Sequence, residues 1–178
     1  MILENASEDF NWRDISPTIF GAVFESTLNP ETRRTGGMHY TSIENIHKVI
    51  DPLFLDDLKS EFEEIKKTKV QKTKYKKLDD FQDKLAELTF LDPACGSGNF
   101  LTETYLSLRH LENEVIKEKI GGQITLGDEA HNPIKVSIQQ FYGIEINDFA
   151  VTVAKTAQGI LDARKLYKTK TLAEMYGR

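Results

Sequence analysis

The chain has 178 residues, 39% of them hydrophobic and 29% charged, a balance that fits one soluble globular core and excludes a disordered tail. No run approaches the roughly 20 apolar residues that span a bilayer. The stretch from Met1 to Asp14 lacks the basic and then apolar order of a secretory signal. A net charge of −5 speaks against a complete DNA-binding surface, which should be basic.

In chain order, the first residues are polar and read as a loose terminus. Ser16-Pro17 reads as an N-cap with proline at the first helical position, and Ile19, Phe20, Val23 and Phe24 give the helix one apolar face. Asn29-Pro30 ends it. After a loop through Gly36-Gly37-Met38-His39-Tyr40, Thr41 and Glu44 have capping-box spacing and predict a helix with Ile43, Ile46, Val49 and Ile50 facing inward. Asp51-Pro52 should break it, and a second amphipathic helix is expected from about Leu53 to Ile65. Lys66, Lys67, Lys69, Lys72, Lys74, Lys76 and Lys77 then crowd together. They fit either a phosphate-contacting patch or a solvated helix or loop, and the lack of an interleaved aromatic platform favours the second. A helix from about Leu78 to Leu88 should bury Leu78, Phe81, Leu85 and Leu88.

At Thr89 the pattern changes. Phe90-Leu91 begins a short strand, Asp92 to Gly98 is a tight turn, and a long helix runs from Asn99 to about Lys119, stopped by Gly121-Gly122. Residues 124–140 are irregular, with a short strand possible at Ile134–Ile138. Phe141–Ile146 is a second strand, and Asn147 or Asp148 caps a helix with Phe149, Val153, Ala157, Ile160 and Leu161 inward. Strand, helix, strand, helix predicts a parallel βαβ unit, the opening of a doubly wound α/β sheet that stays incomplete here, behind a helical leading segment.

The turn carries the chemistry. Gly96 and Gly98 let the backbone approach a ligand, and the amides opening the next helix can meet an anionic group. Position 101 is leucine, so the dinucleotide pattern G-x-G-x-x-G is absent, and a smaller nucleoside cofactor fits better. Glu145 ends the second strand, where an acid can accept both ribose hydroxyls; the bland alternative is a solvated carboxylate. It lies far beyond the roughly 20-residue spacing of the compact unit, and the long helix with its following insertion absorbs the excess. Cys95 is the only cysteine, which fits a reducing, cytoplasmic setting, and beside two glycines it suits a small turn residue better than a nucleophile. His39 and His47 lack metal-ligand spacing.

Phe90-Leu91-Asp92-Pro93-Ala94-Cys95-Gly96-Ser97-Gly98-Asn99-Phe100 resembles the cofactor motif of amino-group DNA methyltransferases of the gamma order. Gly37-Met38-His39-Tyr40-Thr41-Ser42 resembles the extra motif those enzymes place upstream, and Phe141-Tyr142-Gly143-Ile144-Glu145-Ile146-Asn147 their second cofactor motif. The flanking residues Ile19-Phe20-Gly21 to Phe24, Arg33-Arg34 and Asn45 to Leu55 look most like the MmeI-like restriction–modification methyltransferases, with type I modification subunits a close second. The resemblance implies a Rossmann-like S-adenosylmethionine-dependent methyltransferase fold, α/β in class. Residues 1–77 would form a helical leading segment and 78–178 the first βαβα part of a truncated cofactor domain.

By the same resemblance Thr41, with Tyr40, contacts the methionine end of S-adenosylmethionine, while Asp92, Ala94, Gly96 and Gly98 form the turn around it, Asp92 near the amino group. Glu145 holds the ribose hydroxyls and Ile146 packs on the adenine ring. Thr41 as a plain helix cap and Ile146 as plain core are the alternatives. The resemblance also implies methyl transfer to adenine N6 in double-stranded DNA by the full-length parent, within a restriction–modification system that has a nuclease or specificity domain or subunit. Cytosine N4 stays open as the target, as do RNA or protein substrates and a non-catalytic, cofactor-binding or assembly role. These 178 residues contain no Asn/Asp-Pro-Pro-Tyr/Phe tetrad to hold a flipped base. The chain alone is therefore expected to carry the cofactor motifs without transferring the methyl group, and no catalytic residue is assigned within it.

Overall fold

The structure, a computed structural model, describes residues 41–120, 134–157 and 159. The expected helix around Ile19–Phe24, the Gly121-Gly122 stop, and Tyr40, Ile160 and Leu161 lie outside these residues. Ser42 caps the first helix, α1 (Ile43–Ile50), its hydroxyl accepting from the Asn45 amide at 3.4 Å. The cap is thus one residue later than the Thr41–Glu44 spacing suggested. Ile46 and Ile50 are buried, whereas Ile43 and Val49 are exposed.

Asp51-Pro52 does not break the chain. Asp51–Leu55 forms a π-helical turn with Pro52 at its start, and α2 (Asp56–Lys66) continues from it. Inside a continuous helical stretch a proline removes one i→i−4 hydrogen bond, and the wider π-helical turn takes up that loss. Helix α3 spans Gln71–Glu87 and so starts earlier than the expected Leu78. Its lysine-rich first turns have no apolar periodicity to reveal them. They are fastened from outside, by an ion pair of Lys74 with Glu118 and by the Tyr75 hydroxyl donating to the Lys119 carbonyl at 2.9 Å. Leu78, Phe81 and Leu85 are buried as the spacing predicts.

Strand β1 (Phe90–Asp92) leads through the glycine turn into α4 (Asn99–Ile120), and β2 (Phe141–Gly143) pairs with β1 in parallel. A mixed architecture results, helices with a small parallel sheet. Helix α4 is its axis: α1, α2 and α3 all pack on it, and it touches both strands. Side-chain alternation divides the sheet. Phe90 stacks on its register partner Phe141, ring centroids 5.1 Å apart, and Tyr105 of α4 meets Phe141 edge-on at 5.6 Å. Leu91 and its partner Tyr142 point the other way and are exposed.

Ile134–Ile138 is not a strand. Ile134 and Val136 are buried, but the amides of Lys135 and Val136 donate to the carboxylate of Glu112 on α4, at 2.6 and 3.2 Å, rather than to a neighbouring strand. A 3-10 turn at Ile138–Gln140 follows, closed by a reciprocal Ser137–Gln140 capping box. The Gln140 amide nitrogen also donates to the carbonyls of Leu85 and Leu88, at 2.8 and 2.7 Å. Gln140 thereby ties the exit of α3, just ahead of β1, to the residue just ahead of β2.

After β2, Asn147 caps a helix over 148–157, called α5, its side-chain oxygen accepting from the Phe149 and Ala150 amides at 3.0 Å each. Its buried face is Ala150, Ala154 and Ala157. Phe149, expected inward, is exposed, and the helix meets the glycine turn through Ala154.

Candidate cofactor site

The two strands end side by side, and the segments leaving them are stitched together. The Ile144 amide donates to the Asp92 carbonyl at 2.9 Å, and the Cys95 amide donates to the Ile144 carbonyl at 3.0 Å. The Asp92 carboxylate turns back to accept from the Ala94 amide at 3.0 Å, which sets the corner of the turn. Gly96 and Gly98 have φ values of +52° and +79°, in the left-handed region that side chains disfavour. The Gly98 amide donates to the Cys95 carbonyl at 2.7 Å, and its own carbonyl accepts from Thr102 at 2.8 Å, starting α4.

Three glycines serve three purposes here. A Cβ on Gly143 would lie 2.6 Å from the Cys95 sulfur, so β2 passes the turn only as bare backbone. A Cβ on Gly98 would lie 3.1 Å from the Ala154 Cβ, which marks where α5 closes on the turn. A Cβ on Gly96 would meet nothing within 4 Å, so the space beside this amide is open among the described residues.

Glu145 closes the arrangement. One carboxylate oxygen accepts from the Gly96 amide at 2.9 Å and the other from the Asn147 amide at 2.8 Å. Each oxygen keeps acceptor capacity, since a carboxylate offers about four lone-pair sites. Glu145 is therefore no free surface acid: it bridges the two motifs and fixes the open glycine amide. Ile146, beside it, is 97% exposed, so it is not core. Thr41 is half-buried at the foot of α1, which packs on α4.

Cys95 stays a thiol. Burial raises its pKa above the usual range, and the carboxylates of Asp92 and Glu145 add to the rise, whereas a nucleophilic cysteine needs a lowered one. Four of the seven lysines of the cluster are engaged within the protein: Lys66 and Lys67 pair with Glu63 and Glu64, Lys74 with Glu118, and Lys77 donates to Thr68 at 3.4 Å. This fits the solvated-helix reading rather than a patch awaiting phosphates.

The sequence reading missed Glu112, Gln140 and the pair His47–Glu103. Glu112 is fully buried, is ion-paired with Arg109, and accepts from Gln82 at 2.8 Å. Its only sequence signal is an acid on an otherwise apolar helix face. His47 sits between two carboxylates, with Nδ1 2.8 Å from Asp51 and Nε2 3.2 Å from Glu103. The Asp51 hydrogen bond, and after it Glu103, raise its pKa against the opposing effect of burial.

A strand-end acid thus meets a glycine turn through a part-buried amide on a small parallel sheet, and comparison with known proteins gives the family. The family of MmeI DNA-methyltransferase domains matches residues 65–175, more than half of the chain, and the chain belongs to that family. DNA methyltransferase A of Bacillus subtilis (strain 168) is 43% identical over 162 residues, which are 91% of this chain and 17% of that protein. The adenine-specific methyltransferase PglX of Streptomyces coelicolor is 30% identical over 69 residues, 39% of this chain and 5% of its own length. The structure of the type IIL restriction–modification enzyme MmeI in complex with DNA superposes with a TM-score of 0.78 at 43% identity, covering 95% of this chain and 21% of that one. The chain thus spans about a fifth or less of the relatives it matches, and the resemblance to MmeI-like methyltransferases holds.

Proposed function

We propose that this chain is the S-adenosylmethionine-binding front part of a larger enzyme that methylates adenine N6 in double-stranded DNA as part of a restriction–modification system. The observation that carries the reading is the bridge from Glu145 to the Gly96 amide, with open space beside the glycine and Ile146 exposed next to it. A nucleoside fits there: ribose hydroxyls donate to Glu145, and the adenine face lies on Ile146. Gly96 and Gly98 keep the turn low enough for the cofactor's methionine part, with Ala94 at the corner. Asp92 stands near its amino group, and Thr41 with Tyr40 reaches its far end. The cofactor, when bound, supplies an electrophilic methyl group on a sulfonium.

The family membership and the small parallel sheet support a Rossmann-like fold. In it, residues 1–77 form a helical leading segment and 78–178 begin the cofactor domain, although helix α3 (Gln71–Glu87) runs across that division. The names of the relatives, one adenine-specific and another a restriction–modification enzyme solved with DNA, support adenine in DNA as the target. A cytoplasmic setting and a nuclease or specificity element elsewhere in the parent follow from the same reading. With no base-holding tetrad in its sequence, this chain captures cofactor, and the flipped base is handled by other parts of the parent.

Calorimetric titration of S-adenosylmethionine tests this. Saturable binding is expected, weakened at least about tenfold by Asp92→Ala and by Glu145→Ala, the cost of losing a charge-assisted hydrogen bond. A folded chain that binds nothing, and still binds nothing when extended to the length of its relatives, would overturn the reading.

A further inference from the structure

The cofactor turn is carried by the start of α4, and Thr41 by the start of α1, two elements separated by the whole helical leading segment. A part-buried polar contact joins them. Glu103, in the second turn of α4, is 9% exposed, and the Nε2 of His47 faces it at 3.2 Å. The Nδ1 of the same ring faces Asp51 at 2.8 Å. A neutral imidazole has one N–H and can donate to only one of these carboxylates; only the doubly protonated ring donates to both. We propose that His47 is a positioning residue of the cofactor site: as an imidazolium held by Asp51 and Glu103 it locks the last turn of α1, the helix that Thr41 leads into, onto the helix that follows the glycine turn.

Losing the proton leaves Glu103 buried with a neutral partner, or leaves Asp51 without a donor, and either outcome loosens α1 on α4. The groups facing the ring are Asp51 at the end of its own helix and Glu103 from α4; the adjacent Lys48 is engaged by Glu44 at 2.9 Å. The device acts on cofactor capture, not on any reacting atom, and it rests on the cofactor reading given above.

The test is S-adenosylmethionine affinity at about pH 6 and about pH 8.5, on either side of the histidine titration, with the unfolding midpoint recorded on the same samples. For the native chain Kd is expected to weaken about fivefold at the higher pH, the difference between a charge-assisted and a neutral hydrogen bond. His47→Gln, which donates to one carboxylate and carries no charge, should give the weaker Kd at both values while remaining folded. Glu103→Gln should flatten the profile as well, and it removes the buried charge should the histidine variant fail to fold. Native affinity in His47→Gln at both pH values overturns the proposal. Binding that Asp92→Ala abolishes but that shows no pH dependence sinks this inference alone. No binding by the native chain at either pH removes it together with the cofactor reading.

Discussion

The backbone of the glycine turn is set by close approach more than by chain flexibility, and Gly143 shows this most directly. Its neighbour across the turn is the Cys95 sulfur, already where a new Cβ would need to be. Gly143→Ala should therefore cost about 1–3 kcal/mol of stability, as overpacking of a filled site does. Cys95→Ala in the same molecule should return part of it, since the nearest contact is that sulfur while the Cys95 Cβ and the Leu101 Cδ1 stay at 3.1 Å. Urea unfolding of the two single variants and the double variant measures the coupling, and strictly additive effects would show that the crowding lies elsewhere. The left-handed backbone at Gly96 and Gly98 was legible in the sequence because a tight turn of that kind disfavours a side chain. Gly143 was not, since a glycine inside a strand does not announce which side chain presses on it.

The elements were legible where one apolar stripe decides them, and illegible where polar groups do. Leu78, Phe81 and Leu85 at helical spacing point to α3, yet its first two turns are lysine-rich and are held by Glu118 and the Lys119 carbonyl, partners more than forty positions away. Ile134, Val136 and Ile138 alternate like a strand, and burial of the first two is as expected. What no periodicity reveals is that Glu112 captures the Lys135 and Val136 amides and leaves none for a ladder. This carboxylate, paired with Arg109 and bonded to Gln82, joins α3, α4 and the approach to β2. Glu112→Ala strands a buried guanidinium and two amides, and should destabilise the fold by about 3–5 kcal/mol, the usual cost of breaking a buried pair from one side. A shift of the denaturant midpoint with unchanged slope checks it. A cost below about 1 kcal/mol would place Glu112 among ordinary surface acids.

For the molecule taken together, proton linkage gives stability a direction with pH. His47 has a folded-state pKa above its unfolded value of 6.5, through Asp51 and then Glu103. Its contribution is thus fully present below about pH 6.5 and is lost as pH rises through the raised folded value. Glu114 acts the other way and in another window: Lys117, at 2.6 Å, lowers its pKa below 4.5. The stability it adds is present above about that pH and is lost on further acidification, and solvent screening keeps this exposed pair small. Above about pH 6.5 the histidine gives stability a falling slope. Thermal unfolding of the native chain and of His47→Gln should therefore show midpoints furthest apart near pH 6 and converging toward pH 9. Curves that stay parallel across that range would mean the ring is neutral in the folded protein, with its two nitrogens facing carboxylates of which only one receives a proton.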